Sequence, residues 1–192
     1  MVIKKQFLKI LLCLVILLGY QGLFPEDDTQ VPRYKQTVLG LYLTAQEAFK
    51  KWQAAPAKII LLAVRTPEEY LFVGHADQAY NIPFMLLKDK WYKDKTGPMI
   101  INPDFLPQVK KKFKEISTIF VMCRSGGRSA SAVNALAKAG YKKAYSIVDG
   151  FEGDKVTDRK SKDYGKRRLN GWKNSEAPWT YKLDPRLVYN PN

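Results

Sequence analysis

The stretch Ser117-Thr118-Ile119-Phe120-Val121-Met122-Cys123-Arg124-Ser125-Gly126-Gly127-Arg128-Ser129 changes character halfway along. Its first half, residues 117–122, is apolar and β-branched and predicts a buried strand. Beyond the loop, residues 130–139 carry Val133, Leu136 and Ala137 at helical spacing, with Gly140 as the stop. A cysteine therefore sits at the C-terminal end of a strand, where a Gly-containing loop leads into a helix. The unpaired N–H groups of the loop and of the first helical turn point at the place where its sulfur lies. With the helix dipole and the charges of Arg124 and Arg128, they favour thiolate over thiol. Gly126 and Gly127 let the backbone curl around an anion. The segment predicts a nucleophile, Cys123, in a cup made by Arg124, Ser125, Gly126, Gly127, Arg128 and Ser129. Two arginines and two glycines are a poor way to wall off an inert core thiol, so the buried-hydrophobe reading of Cys123 is the weaker one.

Outward from the loop, strand and helix patterns alternate. Residues 38–43 predict a first strand, and Thr44-Ala45-Gln46-Glu47 is a capping box that opens a helix with Ala48, Phe49 and Trp52 on one side. Residues 58–64 form a continuous apolar run, the pattern of a strand buried on both faces. Thr66-Pro67-Glu68-Glu69 starts a short helix with Pro67 at its first position. Arg65 is expected to pair locally with Glu68 or Glu69. Residues 79–82 predict a strand, Asn102-Pro103 opens a helix to about residue 114, and residues 143–148 predict the last core strand. This alternation implies an α/β domain with a central parallel sheet, whose ligands sit outside the carboxyl ends of the strands. Cys123 falls there. The connection over residues 84–101, with Trp91 and Tyr92 among charged residues, is longer than such a fold needs. It is either a functional loop or a solvated excursion.

Three ordered segments resemble one family. Cys123-Arg124-Ser125-Gly126-Gly127-Arg128-Ser129 after an apolar strand resembles the active-site loop of single-domain rhodaneses. Residues 62–70 are similar to the family's Asp-Val-Arg-x-x-x-Glu-[Tyr/Phe] segment, with Ala63 in place of the Asp. Residues 74–83 are similar to its Gly-His-Ile-x-Gly-Ala-x-Asn-Ile-Pro segment, with Ala76-Asp77-Gln78 where the family has Ile-x-Gly. The resemblance spans about residues 38–150, with a remnant in the tail around Trp172 and Pro178. It implies a rhodanese-like three-layer fold. It also implies a double displacement in which Cys123 takes a sulfane sulfur from a small anionic donor such as thiosulfate, becomes a persulfide, and passes the sulfur to a thiol or cyanide acceptor. Backbone N–H groups of residues 124–129 are expected to hold the terminal sulfur, with Ser125 and Ser129 hydroxyls donating to it. Arg128 is expected to fix the loop, and its guanidinium or that of Arg124 to hold the donor's oxygens. His75, the single histidine, is expected to be structural. No metal and no organic cofactor is expected. The two alternatives are a non-catalytic persulfide or sulfur carrier and a related phosphatase-like anion-binding domain. The cysteine phosphatases resemble Cys-x5-Arg, whereas four residues separate Cys123 from Arg128 here; the shorter loop favours sulfur.

The chain has 192 residues and a formal net charge of +14, enough length for one domain plus extensions. The positive balance favours anionic substrates, acidic partners or membrane headgroups, and does not by itself indicate nucleic-acid binding. No nucleic-acid partner is expected. Residues 1–22 combine a basic start with an apolar run at residues 7–18 interrupted only by Lys9. That run is short for a membrane span and of the right size for a signal-peptide core. The cleavage site is poor, so residues 6–24 are either part of an export signal, which suggests a periplasmic destination, or a retained membrane anchor. After cleavage Cys123 would be the one remaining cysteine, because the other is Cys13. Residues 23–37 read as a linker, 38–180 as the domain, and 181–192 as an apolar tail packed on it. Inside the domain, residues 154–169 form an insertion with seven basic and three acidic residues. It is expected to be an exposed loop and a possible docking surface for an acidic protein partner.

Overall fold

The computed structural model describes residues 31–93 and 97–191. In chain order its strands and helices are β1 (Tyr42–Leu43), α1 (Ala45–Ala54), β2 (Ile59–Ala63), α2 (Pro67–Phe72), β3 (His75–Ala76), β4 (Tyr80–Asn81), β5 (Met85–Leu87), β6 (Met99–Ile101), α3 (Phe105–Lys112), β7 (Thr118–Met122), α4 (Gly127–Lys138), β8 (Ala144–Ile147) and β9 (Trp179–Thr180). The export signal or anchor expected over residues 1–22 lies outside the described residues. Among the described residues, no helix is long and apolar enough to cross a membrane.

Strands β1-β8-β7-β2-β4 form one sheet in that order, and every pairing in it is parallel. Because side chains alternate along a strand, each of the two central strands feeds two cores. Leu61, Ala63, Phe120 and Met122 pack with Ala45 and Ala48 of α1 and Tyr70 of α2. Leu62, Val64, Ile119 and Val121 pack with Phe105 and Val109 of α3 and with Ala132, Val133 and Leu136 of α4. Helices, sheet and helices are thus the three layers. The predicted capping box forms, and a second one opens α2. Thr44 accepts from the N–H of Glu47 while Glu47 accepts from the N–H of Thr44. Thr66 and Glu69 do the same at the start of α2.

The structure departs from the sequence reading at several places. The first strand shrinks from residues 38–43 to Tyr42–Leu43, because Gly40, at φ +61°, turns the chain just before it. The expected linker does not stay clear of the domain: Arg33–Lys35 form a 3-10 turn, and Lys35 is buried with its ammonium 3.1 Å from Asp154. The long connection contains the antiparallel hairpin β5–β6, with Met85 opposite Ile101 and Leu87 opposite Met99. The insertion is largely exposed and is closed by isolated bridges between Lys155 and Arg167 and between Val156 and Tyr164. At the C-terminal end, β9 pairs with β3, Leu187 O accepts from the N–H of Asn81, and Val188 packs on the first core.

Candidate active site

Cys123 follows β7 at the carboxyl edge of the sheet and is almost fully buried. Its backbone N–H donates to Ser129 Oγ at 2.7 Å, and the N–H of Gly126 points at its sulfur at 3.1 Å. The first intrahelical bond of α4 runs from Ala130 N–H to Gly126 O. The N–H groups of Gly127, Arg128 and Ser129 therefore precede it, at the open end of the helix. Of the amides expected on the sulfur, that of Gly126 makes the contact. Ser129 differs from expectation: its oxygen accepts from the Cys123 N–H and so fastens the two ends of the loop together.

Gly126 has no substitute at this point. Its φ is +99°, and a Cβ there would lie 2.1 Å from Val148 O and 2.9 Å from Lys35 Cδ. The loop is pressed between the segment after β8 and the N-terminal turn. That segment also runs alongside the loop, with Phe151 N–H donating to Cys123 O at 2.8 Å and Glu152 N–H to Arg124 O at 2.9 Å. Lys35 gave no signal in the sequence, since a lysine in a polar N-terminal stretch reads as solvated.

The two arginines separate in role. Arg128 forks onto Glu69, with both N–O distances 2.6 Å, and this fixes it against α2. Burial alone would lower its pKa, but the hydrogen bonds and charge of Glu69 carry it above the ordinary value. Arg124 is exposed at the rim of the site. The pairing expected for Arg65 is corrected: its guanidinium reaches Gly74 O at 2.6 Å and Glu152 at 3.2 Å, and lies over the Phe151 ring. Glu69 is taken by Arg128, so the partner of Arg65 comes from the far side of the chain. His75 is buried, stacks on Tyr70 with ring centroids 3.7 Å apart, and has Nδ1 3.1 Å from Tyr70 O. Burial pushes its pKa down despite backbone hydrogen bonds that act the other way. It is a packed ring.

A cleft of about 310 Å³ opens at Cys123, lined by Tyr34, Met85, Met99, Arg124, Ser125, Gly127 and Arg128. Its lining joins Arg124, Arg128 and the loop amides to the apolar Tyr34, Met85 and Met99, and Met99 Sδ accepts from Arg128 Nη1 at 3.7 Å. A buried sulfur at the end of such a cleft, with a backbone donor aimed at it, can act as a covalent nucleophile whose negative charge is held by fixed dipoles.

Comparison with known proteins agrees with this geometry. The chain is 36% identical over 124 residues to the uncharacterized Rickettsia prowazekii protein RP600, covering 63% of this chain and 82% of that one. It is 43% identical over 90 residues to the chloroplastic thiosulfate sulfurtransferase 16 of Arabidopsis thaliana, covering 47% and 68%. The crystal structure of Rv0390 from M. tuberculosis superposes with a TM-score of 0.58 at 25% identity, over 73% of this chain and 96% of that one. The Rhodanese-like domain family matches residues 45–156, more than half of the sequence, and this chain belongs to that family.

Proposed function

We propose that the protein is an exported sulfurtransferase that carries a sulfane sulfur on Cys123. The observation that carries this reading is the Gly126 N–H on the Cys123 sulfur at 3.1 Å, at the open end of α4. The Cys123 thiolate attacks the outer sulfur of thiosulfate; a new S–S bond forms, the S–S bond of the donor breaks, and sulfite leaves with the electron pair. The persulfide so formed is anionic at its terminal sulfur. The N–H groups at the start of α4 are suited to hold that charge, as an oxyanion hole holds oxygen. Arg124, exposed at the rim of the cleft, suits the donor's sulfonate oxygens. Arg128 is committed to Glu69 and acts on the loop. An acceptor nucleophile, cyanide or a thiolate, then attacks the terminal sulfur and returns Cys123 to thiolate. The relative named thiosulfate sulfurtransferase supports this chemistry, and the short spacing from Cys123 to Arg128 favours a single sulfur over a phosphate.

The export part of the proposal rests on the basic and apolar pattern of residues 1–22, and the acidic partner on the charge of residues 154–169. Sulfite release from thiosulfate in the presence of cyanide tests the chemistry. Wild-type protein is expected to turn over, and Cys123→Ser to lose all turnover and the mass gain of one sulfur. A serine variant with wild-type turnover would rule out the role of Cys123. Fractionation of cells that express the full chain tests export: protein found wholly in the cytoplasm would contradict it.

A further inference from the structure

The apolar lining of the cleft, Met85 and Met99, offers a small anion no hydrogen-bond donor, although Met99 does touch Arg128 at 3.7 Å. Thiosulfate needs the amides, Cys123 and an arginine. Yet Met85 and Met99 line the cleft, and Tyr34 stands over the loop, where a Cβ on Gly127 would meet its ring at 3.6 Å. The hairpin register puts Met85, Leu87, Met99 and Ile101 on one face, since opposed residues share a side and alternate residues along a strand do too. Met85 and Met99 are half-buried at the cleft, and the rest of that face is exposed, Leu87 at 38% and Ile101 at 60%. An apolar surface uncovered beside a reactive sulfur marks a binding site, and methionine adapts to irregular apolar partners. At about 310 Å³ the cleft falls at the lower end of the roughly 300–1,000 Å³ typical of small-molecule pockets.

We propose that the sulfur acceptor is an apolar organic thiol whose hydrocarbon body lies on the wall formed by Met85, Met99 and Tyr34. This inference rests on the sulfur-transfer reading and names the acceptor class. The acceptor thiol loses its proton to solvent, its thiolate attacks the terminal sulfur of the Cys123 persulfide, and the S–S bond to Cys123 breaks. The products are an organic persulfide and the Cys123 thiolate, with no oxidant or reductant consumed. Arg124 at the rim attracts the incoming thiolate, and the hairpin holds the chain behind it.

Full-length protein is first loaded with thiosulfate, and the gain of one sulfur on Cys123 is read by mass spectrometry. Discharge is then timed with cyanide, glutathione, and the straight-chain series ethanethiol, butanethiol and hexanethiol, at equal thiolate concentrations. Within the series the attacking sulfur is nearly constant in acidity and nucleophilicity, so chain length reports contact with the wall. The rate constant is expected to rise about two- to fourfold per methylene, the factor for burying that group. Met85→Ala is expected to flatten this dependence and to lower the hexanethiol-to-cyanide ratio by about tenfold. Loading followed by discharge that is flat across the series, or fastest with glutathione, would overturn the apolar acceptor and leave sulfur transfer standing. Failure to load Cys123 at all would overturn both.

Discussion

Glu69 is divided between two tasks. Its carboxylate closes the capping box of α2 through the N–H of Thr66, and it forks onto Arg128 beside the Cys123 loop. Burial opposes its ionisation, but Arg128, the Thr66 N–H and the charge of Arg65 hold its pKa below the ordinary carboxylate value. A depressed folded-state pKa gives stability that is present above the unfolded value and lost as pH falls through the folded one. Wild-type protein should therefore lose stability from about pH 5 downward through this group. Glu69→Gln keeps a capping acceptor and removes the charge. It is expected to cost roughly 2–4 kcal/mol at neutral pH and to shallow the acid limb, both read from urea midpoints across pH. An equal acid limb in variant and wild type would show that other carboxylates govern acid unfolding. Asp149 acts with the opposite sign. Burial raises its pKa although the Gly171 and Ala45 N–H groups favour the charged form. Its contribution is complete below the unfolded value and declines as pH rises through the folded one.

The Cys123 loop is the element on which helix, strand and N-terminal turn converge. Helix α4 supplies its open amides, β7 delivers the sulfur, and residues 148–152 form a wall behind the loop. Two glycines make the contact close enough. Gly126 faces Val148 and Lys35, while a Cβ at Gly150, where φ is +63°, would lie 2.7 Å from the Arg124 and Cys123 backbone. Gly126→Ala must therefore shift the loop, and a displacement of about 1 Å at a reacting centre costs on the order of 100-fold in rate. We expect that loss in thiosulfate-to-cyanide turnover, with a fold that still gives a cooperative transition. Turnover within a few-fold of wild type would mean that the loop relaxes without moving the sulfur. Lys35 braces the same loop from the other side and ties it through Asp154 to the start of the basic insertion.

At the scale of the molecule, the C-terminal segment is part of the domain. Trp179 rests edge-on against Phe151, β9 extends β3, and Lys173 lies over the Trp179 ring at 4.1 Å while donating to Val73 O. Truncation after Ala177 is expected to cost at least about 3 kcal/mol, the scale of losing one packed tryptophan, as a lower urea midpoint. An unchanged midpoint would make the segment a passenger. The Thr44 capping box, the parallel sheet implied by alternating strands and helices, and the place of Cys123 in its glycine loop could be read directly from the residues. Each is a short-range pattern in which neighbours within about four positions decide the conformation. The boundaries of β1 and the hairpin inside residues 84–101 were less legible, because Gly40 and a short antiparallel register act only once the chain is folded. The sequence by itself therefore determined the layers and the place where the Cys123 sulfur emerges. Only the tertiary structure decided which of 18 acids meets which of 32 bases: Glu69 with Arg128, Glu152 with Arg65, Asp154 with Lys35. It also decided that Tyr34 and a distant hairpin wall the cleft. The reason is physical. Backbone periodicity is written locally, while the choice of partner belongs to close packing, which brings together residues that the chain keeps far apart.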